Sequence, residues 1–159
     1  VPHILLVEDN PIDARLTHRM FGKLAAWPIT ITWIDDGQKA LWYLRCLEEG
    51  GVSERPDFVL LDVHLPIYDG FQVLAAFRNS ATEAGLPIFL LSSMPADEIA
   101  TLAADGRLRP DLCFEKTVNP HAFKTMALTI RDYMEHRLPR GAPPVIGSSG
   151  SALVEWQER

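Results

Sequence analysis

Four apolar runs, each stopped by a polar or charged residue, constrain this chain more than any other feature. Ile4-Leu5-Leu6-Val7 ends at Glu8 and Asp9. Phe58-Val59-Leu60-Leu61 ends at Asp62. Pro87-Ile88-Phe89-Leu90-Leu91 ends at Ser92 and Ser93, and Leu112-Cys113-Phe114 ends at Glu115 and Lys116. Such runs are too short for helices and lack the polar alternation of a strand with one wet face. They read as strands buried on both faces. The β-branched stretch from Ile29 to Ile34 adds another strand.

Longer periodic segments lie between the runs. Asn10-Pro11 is a turn and helix start, and Ile12, Leu16, Met20 and Leu24 recur at steps of four on a helix reaching about Ala25. Leu41, Leu44 and Leu47 mark a helix over 38–49, which Gly50-Gly51 ends. Phe71, Leu74 and Phe77 mark a third helix, and an Ala-rich segment over 96–104 a fourth. Asn119 caps the fifth with Pro120 at its first position, and Phe123, Met126, Ala127, Ile130 and Met134 form its core-facing stripe. Five strands alternating with five helices imply parallel βαβ units with right-handed crossovers. The expected fold is α/β and flavodoxin-like: a doubly wound, five-stranded parallel sheet in the order 2-1-3-4-5.

The domain is expected to occupy residues 1–137. Residues 138–159 hold three Pro, three Gly and three Ser, nine of 22, which is a linker or tail composition. That stretch reads as a flexible tail; the alternative is a docking segment anchored by Leu153 and Trp156. A DNA-binding output cannot be built from the 43 residues after Lys116 once the fifth helix is placed. A net charge of −6 argues against a nucleic-acid partner, and the absence of any run of 18 apolar residues argues against a membrane span. Two cysteines and no leader pattern before the first strand suit a reducing cytoplasm.

In an open parallel sheet, ligands bind outside the carboxyl ends of the strands. Glu8, Asp9, Asp62, Ser92 and Lys116 are therefore expected at one edge. Three clustered carboxylates repel one another and call for a cation, and hard oxygen ligands suit Mg²⁺. A metal so held can bridge to a phosphate. Lys116 can neutralise a second phosphate oxygen, Ser92 can hydrogen-bond a third, and Asp62 can act as a nucleophile that forms an acyl phosphate.

These motifs, in this order, resemble the receiver domain of two-component response regulators (the CheY-like fold). Leu6-Val7-Glu8-Asp9-Asn10 is similar to the family's acidic pair. Leu60-Leu61-Asp62 through Asp69-Gly70 is similar to its phosphoacceptor segment, Leu90-Leu91-Ser92-Ser93 to the end of its fourth strand, and Phe114-Glu115-Lys116 to the end of its fifth. The resemblance covers about residues 3–136. It implies that Asp62 accepts a phosphoryl group from a sensor histidine kinase or phosphotransfer protein. Asp9 and Asp62 would bind Mg²⁺ directly, Glu8 through water, and His64 through its backbone carbonyl. Ser92 and Lys116 would contact the phosphate. His64, Ser93, Met94, Cys113 and Phe114 stand as candidate modulators. The Glu-Asp-Asn start, the long loop from Glu48 to Pro56 and the C-terminal extension resemble regulators partnered with phytochrome-type kinases. The resemblance, with apolar faces near the fifth helix, points to a homodimer and to output through a further protein.

Two positions depart from the family. Thr117 follows the lysine where proline is usual, which favours a trans bond there. Cys113 stands where Tyr or Phe is usual, a departure that bears on coupling from Ser92 to an aromatic switch. The alternatives are a pseudo-receiver that works without phosphorylation, and a Mg²⁺-dependent phosphatase with an Asp nucleophile. The second Asp that such a phosphatase needs is replaced by His64. Trp27, Trp33 and Trp42 read as packing residues.

Overall fold

Periodicity in the strands divides the molecule into two packed layers. The computed structural model describes residues 1–24, 27–103, 109–136, 145–146 and 153–154. The order is β1 (His3–Val7), α1 (Pro11–Leu24), β2 (Thr30–Ile34), α2 (Gly37–Glu48), β3 (Phe58–Asp62), α3 (Gly70–Asn79), β4 (Ile88–Ser92), α4 (Ala96–Ala103), β5 (Leu112–Glu115) and α5 (Pro120–His136). β1, β3 and β4 are buried at every residue. Alternate side chains therefore serve opposite faces. Ile4, Leu6, Phe58, Leu60, Phe89 and Phe114 pack against α1 and α5. Leu5, Val7, Val59, Leu61, Leu90 and Cys113 pack against α2, α3 and Ile99 of α4.

The parallel order β2-β1-β3-β4-β5 is the one the alternation implies. Its register aligns Val7 with Leu61, Asp62 with Leu91 and Ser92 with Glu115. The polar residues that end the apolar runs are thereby brought to one rim. Two further short strands, β6 (Val145–Ile146) and β7 (Leu153–Val154), continue the sheet beyond β5. β6 runs parallel to β5, and β7 antiparallel to β6. Both fall inside the stretch expected to be a tail; Trp156 lies outside the described residues. Among the described residues no helix is long and apolar enough to cross a membrane.

Two expectations are corrected. The buried face of α1 is Ala14, Thr17, Met20 and Phe21, with Leu16 partly buried, whereas Ile12 is 74% exposed. Among the tryptophans, Trp27 does pack, stacked 5.9 Å from Phe58. Trp42 is 66% exposed and Trp33 46% exposed. Tyr43, beside Trp42, takes the place against the core.

A polar clamp secures the opposite rim. The Arg78 guanidinium pairs with Asp111 at 2.6 Å and donates to the carbonyls of Arg109, Ala84 and Leu86. Asp111 also accepts from the Ile88 amide and the Tyr133 hydroxyl. One carboxylate thus joins α3, β4, β5 and α5. Both charged side chains of the pair are largely buried. Asp111→Ala removes a largely buried carboxylate that Arg78, Ile88 N and Tyr133 all bond, and should cost about 3–5 kcal/mol, read as a lowered urea midpoint.

Candidate functional site

Four of the parallel strands bring a polar residue to the same rim. Glu8 follows β1, Asp62 ends β3, Ser92 ends β4, and Lys116 follows β5. Glu8 and Asp62 are nearly inaccessible, at 1% and 2% exposure. The Lys116 ammonium lies 2.7 Å from Glu8 Oε2, 2.8 Å from Asp62 Oδ2 and 3.4 Å from Asp13 Oδ2. Asp13, in the first turn of α1, is a partner that reading only the strand ends misses. Beside Lys116 a cavity of about 250 Å³ opens between α1 and α5, lined by Asp13, Thr17, Leu91, Phe123 and Met126 among others.

Backbone amides hold the two buried carboxylates in place. Asn10 N donates to Glu8 Oε1 at 3.1 Å, and His64 N donates to Asp62 Oδ1 at 3.1 Å. The loop after β3 is tightly built. Tyr68 N bonds Pro66 O at 2.9 Å around Ile67, whose φ is 72°. That is a strained turn for a β-branched residue. Asp69 then caps α3 in a capping box with Gln72. Gly70 comes so near the preceding strand that a Cβ there would meet the Asp62 carbonyl oxygen at 2.2 Å. Only glycine lets the loop fold back on the Asp62 backbone.

Ser92 is fully buried, and its Oγ accepts from Met94 N at 3.0 Å. Its carbonyl accepts from Lys116 N at 2.7 Å, which joins the ends of β4 and β5. The bond between Lys116 and Thr117 is trans, as the sequence implies. His64 and Ser93 are exposed, and Met94 is partly buried against the core. Cys113 and Phe114 are buried in the two core layers on opposite faces of the sheet. Burial pushes the Cys113 thiol up to about 12, so it stays an uncharged packing group.

One more group is absent from the motif reading. The indole N–H of Trp33, in the edge strand β2, donates to the backbone carbonyl of Glu8 at 2.8 Å. Sequence pattern cannot identify such a bond, because it depends on Trp33 lying beside Leu6 in the sheet register.

The electrostatics follow from the crowding. Burial raises the Glu8 carboxyl to about 7, the Asp62 charge adds to that rise, and the bonds from Lys116 and Asn10 oppose it. Burial opposes the charge on Lys116, but its bonds to Asp62 and Glu8 win and hold the ammonium above its usual range. Oxygen atoms of Glu8, Asp9 and Asp62 lie within 4.8 Å of one another. Three hard oxygens at this spacing, with Asp9 exposed, fit a divalent cation that retains some of its water.

A doubly wound sheet whose carboxyl rim gathers three acids, a buried hydroxyl and an ion-paired lysine defines an α/β domain with an acidic site suited to a divalent cation. The profile of the response regulator receiver domain matches residues 4–127. The chain belongs to that family, whose members are signalling modules that bind a divalent metal and partner with histidine kinases. It is 35% identical to a probable methanogenesis regulatory protein, FilR2, of Methanothrix harundinacea, over 85% of this chain and 83% of that one. Two solved structures are also similar. One is the phosphorylated cyanobacterial phytochrome response regulator RcpA, with 28% identity and a TM-score of 0.70, covering 87% of this chain and 96% of that one. The other is the Mn²⁺-bound form of response regulator Rcp1, with 26% identity and a TM-score of 0.68, covering 89% of this chain and all of that one.

The raised Glu8 carboxyl sets a pH dependence. Between its ordinary 4.5 and about 7, the unfolded chain has released a proton that the folded protein keeps. Stability therefore falls as pH rises through this window. The groups facing Glu8 are Asp62 and Lys116, with Asp13 on the far side of the ammonium. In EDTA, Glu8→Gln should become progressively more stable than the parent between pH 4.5 and pH 7. Urea midpoints measured across that range check it; a constant difference would contradict it.

Proposed function

We propose that this receiver takes a phosphoryl group from a histidine kinase or phosphotransfer protein onto Asp62, with Mg²⁺, and signals through protein contacts. The observation that carries the reading is the placement of Asp62. One of its oxygens accepts the His64 amide and the other meets the Lys116 ammonium at 2.8 Å, inside a cluster of oxygens suited to a hard cation.

In the proposed reaction an Asp62 carboxylate oxygen attacks the phosphorus of phosphohistidine. The new O–P bond forms as the P–N bond breaks, and the electron pair leaves with the imidazole. The residues mostly position groups and neutralise charge. Lys116 turns from the Asp62 carboxylate to a phosphoryl oxygen, and the Ser92 hydroxyl donates to another. Asp9 and Asp62 would hold Mg²⁺ directly, Glu8 through water and His64 by its carbonyl; the ion, when bound, offsets negative charge on the phosphoryl oxygens. His64, Ser93 and Met94 closely follow Asp62 and Ser92 in the chain and would be the positions that tune phosphate lifetime. Cys113 and Phe114, being core residues, would act only by altering packing.

The likeness to RcpA and Rcp1 supports a phytochrome-type kinase as the partner. Such a partner implies a cytoplasmic setting. The output is a contact with another protein or a second copy of this chain.

Incubation with Mg²⁺ and acetyl phosphate should add one phosphoryl group, seen by intact-protein mass spectrometry. The adduct should be absent from Asp62→Asn and much reduced in Lys116→Ala. No adduct on the parent protein would favour phosphorylation-independent binding, and steady hydrolysis of unrelated phosphomonoesters would favour a phosphatase.

A further inference from the structure

The Trp33 indole is a large aromatic group left nearly half exposed on the outermost parallel strand. Packing does not account for that position. Its N–H does, since it reaches the Glu8 carbonyl at 2.8 Å. Glu8 is thereby bound to β2 twice, because its own amide donates to the Ile34 carbonyl at 2.9 Å.

The carbonyl of Glu8 and the amide of Asp9 belong to one planar peptide unit. Anchoring the carbonyl restrains that plane and with it the Cα of Asp9, leaving rotation about the Asp9 N–Cα bond as the backbone freedom that aims its side chain. Glu8 has other restraints, from Asn10 and Lys116. Asp9 has none of this kind: its carboxylate is exposed and makes no hydrogen bond or ion pair with another described residue. Its nearness to the Glu8 and Asp62 oxygens therefore depends on the backbone that carries it.

We infer that Trp33 is a positioning residue for the acidic pair, its indole N–H orienting the Glu8–Asp9 peptide so that the three carboxylates converge. This rests on the metal-binding reading above. Groups that orient ligands without touching the ion change affinity by roughly 10- to 100-fold when lost.

Trp33→Phe removes the donor and keeps an aromatic ring. Replacing the indole with benzothiophene (by incorporating benzothienylalanine at position 33) removes only the N–H and keeps the shape, which guards against a folding defect in the first variant. Mg²⁺ affinity is measured by calorimetry, and Asn10 amide exchange by NMR in EDTA. Both variants should bind Mg²⁺ roughly tenfold more weakly. Their Asn10 amide should exchange faster, and Tm in EDTA should fall by no more than about 4 °C. At saturating Mg²⁺ their labelling rate with acetyl phosphate should return to that of the parent, as expected for lost preorganisation. Where the parent binds Mg²⁺, unchanged affinity in both variants would overturn the inference, whatever Asn10 exchange shows. If the parent itself binds no Mg²⁺, the metal reading fails separately. Asn10 exchange then decides: acceleration supports the tether, and no change overturns it.

Discussion

One ammonium among three carboxylates governs this molecule. Lys116 brings together Glu8 from beyond β1, Asp13 from α1 and Asp62 from β3. Two of those carboxylates are almost wholly buried, and without a cation their mutual repulsion and desolvation would oppose folding. The lysine offsets that cost, as a metal would when bound. Burial, with the Asp62 charge beside it, raises the Glu8 carboxyl to about 7 against the pull of Lys116. In the proposed function this site exchanges partners: a cation for the acids, and a phosphoryl group for the lysine.

The sheet makes this concentration of charge tolerable. Its three inner strands are buried along their whole length, and both faces are sealed by helices. The rigid register places strand ends side by side, while the Arg78–Asp111 clamp secures the opposite rim. Strain and close backbone approach are concentrated in the loop after Asp62, at Ile67 and Gly70. In the proposed function, that loop and the adjacent ends of β4 and β5 sense the phosphate and pass the change to a partner.

Most of this was legible in the sequence because apolar runs and their polar stops encode both strands and site. Glu8, Asp62, Ser92 and Lys116 each follow or end a run, so recognising a parallel sheet was enough to gather them. The failures have physical causes. Stepping by four residues along α1 drifts about 40° each time against the 3.6-residue turn, so the Ile12 row leaves the buried face. Ala14 and Thr17, small or polar, carry that face without advertising it. Asp13 and Trp33 reach the site from a helical turn and a neighbouring strand, so their roles depend on tertiary register. Cys113 and Phe114 come shortly before Lys116 in sequence, yet strand alternation turns them into the two cores. The strands β6 and β7 arise in a segment whose Pro, Gly and Ser content masks two short apolar pairs.

The central claim is that the lysine-held carboxylate of Asp62 is the group that takes the phosphoryl. Borohydride reduces an acyl phosphate to the alcohol, converting an aspartyl phosphate into homoserine. Protein treated with Mg²⁺ and acetyl phosphate, reduced, digested and mapped by peptide sequencing should carry homoserine at position 62 and retain aspartate at positions 9, 13 and 69. Homoserine at any of those other positions, or none at 62 in a protein shown by mass to be phosphorylated, would contradict the account.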